Sequence, residues 1–196
     1  MIRRIVLAGV LGGIAMFAWT SLAHMVLPLG EVGISQIPND ADLMNALHAK
    51  LGEAHGLYFF PNMGVAMDAT SDQKKAAMAA YGQKLAANPS GLLVYHPPGQ
   101  KELTPGQLIT EFLTEMAEAL LLAWLLALTV LKSYASRVGF AVICGIVAAI
   151  VTNVSYWNWY GFPTSYTISY MAIEVVSFLA AGLVAAKLVA AKHVAQ

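Results

Sequence analysis

Four stretches of this sequence are long and apolar enough to cross a membrane, and they constrain everything else. They cover residues 5–27, 105–131, 138–156 and 166–184. A bilayer core about 30 Å thick takes about 20 predominantly apolar residues as a helix. Lipid offers no partner to a backbone amide or carbonyl, so such stretches must satisfy their hydrogen bonds internally. The sequence therefore predicts an all-α membrane bundle of four transmembrane helices. Residues 28–104 form an inserted α+β lobe between the first two, and residues 105–196 carry the other three helices and a short tail.

Charge supports this reading. Charged residues make up 11% of the chain, less than half the roughly 25% of an ordinary soluble domain. Formal net charge is zero and there is no basic run, so nucleic acid has no electrostatic footprint. The one cysteine, Cys144, lies in an apolar stretch. That excludes an intrachain disulfide and two-cysteine redox chemistry, and Cys144 reads as a small buried hydrophobe.

The second span has an explicit start. Thr104 can cap, Pro105 suits the first helical position, and Gln107 completes a capping box. From Pro105 to Leu131 is 27 residues, or about 40 Å of helix, longer than the hydrocarbon core. Its first turns, which carry acids, are expected to project beyond the membrane.

Orientation follows from the basic residues near the span ends. Arg3 and Arg4 precede the first span, Lys132 and Arg137 separate the second and third, and Lys187 and Lys192 follow the fourth. No acid accompanies them, so both termini are expected in the cytoplasm of a multi-pass membrane protein. Residues 28–104 are then extracytoplasmic, periplasmic in a Gram-negative envelope, and the stretch 157–160, with Trp157, Trp159 and Tyr160, sits at the outer interface. Arg3, Arg4, the apolar run and Ser21, Leu22 and Ala23 also suit a cleavable secretory signal. The run is longer than a signal core and carries Gly9 and Gly13 at helix-packing spacing, so it is read as a span.

Within the lobe, Asn39 or Asp40 can cap a helix through Leu43, Leu47 and Leu51, ended by Gly52. Residues 56–60 read as a strand stopped by Pro61. Ser71 or Asp72 can cap a second helix through Met78 and Leu85, ended by Asn88 and Pro89. Residues 91–96 read as a second strand stopped by Pro97 and Pro98. The helix between the strands is long enough for a parallel crossover. Seven acids against five bases give the lobe no strong charge preference.

Ionisable groups inside spans are costly, so each asks for a reason. Glu111, Glu115 and Glu118 follow 4 and 3 spacing; at about 100° per residue they fall within about 60° of one another. Thr167, Tyr170, Glu174 and Ser177 share a face of the fourth span, the first span offers Thr20 and His24, and the third offers Asn153. All lie in the outer half, whereas residues 120–128 and 142–150 are almost purely apolar. The expected arrangement is a polar pocket of His24, Glu111, Glu115, Glu118, Asn153, Tyr170 and Glu174, open outside and sealed below. Glu118, Glu174, Asn153 and His24 should point into the bundle, because a charge facing lipid near the bilayer centre costs about 2.5–3.5 kcal/mol even on a lenient scale. Small residues at four-residue spacing mark the helix seams: Gly9 and Gly13; Ala119, Ala123 and Ala127; Gly145 and Ala149; Ser177, Ala181 and Ala185.

No cofactor or metal is expected. No acid is followed three places later by histidine, as a di-iron bundle requires. Haem held by two histidines needs a second one near a span, but His48, His55 and His96 belong to the lobe and His193 to the tail. An enzymatic use of the pocket would rest on Glu118 or Glu174 as general base, yet no nucleophile with an adjacent base is visible. The leading expectation is a non-enzymatic accessory or interaction subunit of the cell envelope. It would meet a protein partner or a second copy through the small-residue faces and the lobe, whose Tyr58, Phe59, Phe60 and Tyr95 suit an interface and suit core packing at least as well. The alternative is transport of a small ligand, ion or proton through the polar pocket.

Overall fold

A computed structural model of the protein describes residues 1–66 and 68–189. Lys192 and His193 lie outside the described residues. The elements, in chain order, are α1 (Ile2–Met25), a 3-10 turn (Leu29–Glu31), α2 (Ala41–Leu51), β1 (Gly56–Phe60), α3 (Ser71–Ala87), β2 (Gly91–Tyr95), α4 (Pro105–Leu128), α5 (Tyr134–Tyr160) and α6 (Thr164–Leu188). They fall into two compact units. One joins Met1–Ser35 to the chain from Glu102 onward, and the other is Gln36–Lys101.

Three helices of the first unit, α1, α5 and α6, are long and apolar enough to cross a membrane, which marks a multi-pass membrane protein. The helix α4 begins at Pro105 as expected and ends at Leu128, short of Leu131; it is not among these three, because Glu111, Glu115 and Glu118 interrupt its apolar length. Its start is built as the sequence requires. Thr104 Oγ1 accepts from the Gln107 amide at 3.3 Å, and Gln107 Oε1 accepts from the Thr104 amide at 2.8 Å. The helix α5 extends beyond the apolar stretch at both ends and stops at Gly161, whose left-handed φ of 71° suits a residue without a Cβ.

The small residues set the packing. Gly9 lies against Leu120, Gly12 against Ala119 and Ala181, and Gly13 against the backbone of Met116. These descending pairs run α1 antiparallel to both α4 and α6. Gly145 against Phe178 and Gly182 against Ala141 do the same for α5 and α6. Ala119, Ala123, Ala127, Ala149, Ser177, Ala181 and Ala185 are all buried, so the small-residue stripes are occupied by packing inside the protomer. Gly12 and Gly182 belong to these seams but fall outside the spacing read from sequence.

Antiparallel order brings the N-terminus of α1, the α4–α5 connection and the C-terminus of α6 to one end of the bundle. The described Lys and Arg residues of this unit, Arg3, Arg4, Lys132, Arg137 and Lys187, gather there. Two apolar clusters fill the half near that end. One holds Ala8, Ala123, Leu126, Ala127, Ala185 and Val189, and the other Met16, Ala119, Leu122, Ala141 and Ala181. Arg137, which the sequence presents as a simple orientation marker, is buried and donates from Nη2 to the Val189 carbonyl oxygen. A cation there meets the unpaired carbonyls that end α6.

The second unit corrects two expectations. Its strands pair antiparallel, with Gly56 opposite Tyr95 and Phe60 opposite Gly91, not parallel. A parallel crossover needs the connection to carry the chain back to the start of the first strand. Here the ten residues 61–70 can reach about 33 Å, enough to offset the roughly 26 Å travelled by α3, so β2 begins where β1 ends. The cap of α3 is Thr70, one residue before the positions considered, in a capping box with Gln73. Tyr95 is the one buried residue of this unit among the described residues, in keeping with the core packing that the sequence also allows for it. Its hydroxyl donates to the Gly52 carbonyl at 2.9 Å, tying β2 to the end of α2, where Gly52 takes a φ of 57°.

Candidate functional site

A cleft of about 550 Å³ lies among α1, α4 and α6. Four glutamates line it: Glu111, Glu115 and Glu118 from α4 and Glu174 from α6. Seven of the chain's 11 acids lie in residues 28–104, so every acid outside that segment is in this cleft. Among the described residues, no Lys or Arg lines it. Glu111 is within electrostatic range of the other three, and Glu118 of Glu174. The 4 and 3 spacing on α4 produces this alignment, since it keeps the carboxylates on one face.

Glu115 is the most enclosed, at 5% exposure. Its Oε1 accepts from the Thr20 hydroxyl, while its Oε2 is buried without a hydrogen-bond partner among the described residues. Thr20 Oγ1 also lies 3.3 Å from Ser177 Oγ and 3.1 Å from the Met16 carbonyl oxygen. A hydroxyl has one hydrogen to give. Given to Glu115, it leaves Ser177 to donate to Thr20, and one chain of hydrogen bonds joins α6, α1 and α4.

His24 and Tyr170 line the same cleft. The Nδ1 of His24 is 3.0 Å from the Thr20 carbonyl oxygen, and its ring meets Tyr170 edge-on at 5.8 Å. The 3-10 turn holds this wall: Ser169 donates to the Leu29 carbonyl at 2.7 Å, and Tyr170 to that of Gly30 at 3.4 Å. Gly30 sits against the His24 ring, where a side chain would clash.

Six of the seven residues proposed from sequence thus line one cleft. Asn153 does not. It is buried on α5, and its Nδ2 donates 3.0 Å to the carbonyl of Ala149 on its own helix. The reason is bundle order: α5 packs chiefly on α6 and hardly touches α4.

Sequence reasoning missed two features. Trp19 Nε1 donates to the Ile173 carbonyl at 2.9 Å, joining α1 to α6 beside the cleft. An aromatic series also runs from the end of α5 down α6. Tyr156 meets Phe162 at 5.3 Å, Phe162 meets Tyr166 at 5.4 Å, and Tyr166 stacks on Tyr170 at 4.3 Å. The signal for its lower part was present, since Phe162, Tyr166 and Tyr170 repeat every four residues.

Among the described residues, no group of three or more His, Cys, Asp or Glu could hold a metal ion. No protein-family model, curated protein or solved structure matches this chain.

Proposed function

We propose that this is a four-span membrane protein whose cleft takes up a small ligand, ion or proton from the side bearing residues 28–104. One observation carries the reading: all acids outside that segment converge on one cleft that no described Lys or Arg enters. Four carboxylates facing one another would repel unless the cleft admits water, protons or a cation.

The case for α4 as the fourth crossing is its outward face. Leu121, Trp124, Leu125 and Leu128 are exposed apolar side chains, as a lipid-facing surface requires. Its carboxylates turn the other way, toward α1 and α6. The basic end of the bundle belongs in the cytoplasm by the positive-inside rule, which puts the lobe outside. The apolar clusters beneath the cleft argue for a binding pocket closed on the cytoplasmic side, so passage through the membrane would need a rearrangement.

Proteoliposome uptake of protons and small cations tests this reading. Glu118→Gln and Glu174→Gln should each lower uptake about tenfold, the equivalent of about 1.4 kcal/mol, with unfolding temperature unchanged. If both variants match the wild type, the cleft is structural.

A second reading, an accessory or interaction subunit, draws on the lobe. Leu57 and Val94 face each other across the ribbon and are 61% and 62% exposed. With Tyr95 the one buried residue there among those described, much apolar surface is left for a protein partner or a second copy. Mild-detergent purification with crosslinking should capture that contact, and a strictly monomeric protein without a co-purifying partner would count against it.

A further inference from the structure

We infer that the cleft takes a small primary ammonium cation with an apolar or aromatic body, an assignment that rests on the cleft being a ligand site. Charge sign comes first. Among the described residues, four carboxylates and no Lys or Arg line the cavity, so an anion would meet repulsion without compensation.

Size and ligand geometry argue against a bare metal ion. Calcium takes six to eight oxygens at about 2.3–2.6 Å, and magnesium needs a near-octahedral shell. No described group of carboxylates and histidine is clustered tightly enough for that. The cavity of about 550 Å³ falls instead in the range of pockets that bury whole small molecules, about 300–1,000 Å³.

The walls give the rest. Phe17, Ile173 and Tyr170 line the cleft beside the glutamates, and Tyr170 ends the aromatic series that begins at Tyr156. Aromatic faces attract organic cations, while aliphatic and aromatic surface accepts an apolar body. Glu115, 95% buried, lines this wall, and its Oε2 is an acceptor with no hydrogen-bond partner among the described residues. A primary ammonium brings three N–H donors, whereas a quaternary one brings none. That distinction selects the primary amine.

The test uses the full chain in nanodiscs and calorimetric titration. The probes are 2-phenylethylammonium, its N-trimethyl analogue, neutral 2-phenylethanol, K⁺ and Mg²⁺. The primary ammonium should bind at least about tenfold more tightly than each of the others, or about 1.4 kcal/mol. Glu118→Gln, Glu174→Gln and Tyr170→Leu should each weaken it. A measurement on the wild type covers the case of a variant that misfolds: carbodiimide coupling of the same amine, mapped by mass spectrometry. Amide formation should favour the cleft glutamates over the more exposed acids of the lobe. Equal binding of 2-phenylethanol or the trimethyl analogue overturns the assignment, as does coupling confined to lobe acids. Binding of K⁺ or Mg²⁺ alone overturns it while leaving the cleft as an ion site. If no probe binds and the uptake variants match the wild type, both readings fall.

Discussion

Thr20 on α1 donates its hydroxyl hydrogen to Glu115 on α4, a residue 95 positions away in sequence. That bond satisfies one oxygen of a cleft-lining carboxyl group with 5% exposure and leaves the other without a partner among the described residues. Structural support and an unmet acceptor therefore sit on the same side chain.

Thr20→Val removes this donor while keeping the side-chain shape. Both oxygens of Glu115 would then lack a partner, so stability should fall by about 1–3 kcal/mol. Thr20→Ser should lose much less. Unfolding followed by circular dichroism in detergent measures both. Equal stability of all three proteins would mean that the bond contributes nothing.

The close approach of α1 and α4 predicts a contrast between two glycines. A Cβ on Gly13 would lie 2.6 Å from the Met116 Cα, whereas one on Gly139 would meet nothing within 4 Å. Gly13→Ala should therefore destabilise by about 1–3 kcal/mol through overpacking. Gly139→Ala should be neutral or stabilising by up to about 1 kcal/mol, since alanine favours the helix. The same unfolding assay decides, and a reversed order would refute the packing described.

If the lobe carries a protein contact, Leu57→Asp combined with Val94→Asp should abolish crosslinking to the partner or second copy. The lobe itself should keep its secondary structure, because neither side chain is buried. Crosslinked adducts surviving in the double variant would remove this face from consideration.

How far the sequence could be read depended on the range of each interaction. The Thr104–Gln107 capping box and the one-sided carboxylates of α4 depend on spacings of three and four residues, so they were legible. The common face of Tyr170, Glu174 and Ser177 was legible for the same reason. Asn153 was misassigned because a helix's share in a cleft depends on which neighbours it packs against, and periodicity holds no information about that. The strand direction was misread because it turns on the balance between the reach of residues 61–70 and the length of α3. Trp19 was passed over because its partner is a helix carbonyl, a group already bonded within its own helix and carrying no side-chain signature. Arg137 read only as an orientation marker because its burial depends on where α6 ends.

Cysteine accessibility at Ser177 tests the central claim most directly. In a Cys144→Ala background, Ser177→Cys places a thiol on the wall of the cleft, and Leu126→Cys places one in the apolar cluster beneath, where Leu126 has no exposure. A membrane-impermeant cationic thiol reagent, applied to sealed vesicles of each orientation, should label position 177 from the side bearing residues 28–104 and only from that side. Position 126 should stay unlabelled from both. Labelling of 177 from the opposite side, or protection of 177 as complete as that of 126, would contradict a water-filled acidic cleft open on the lobe side.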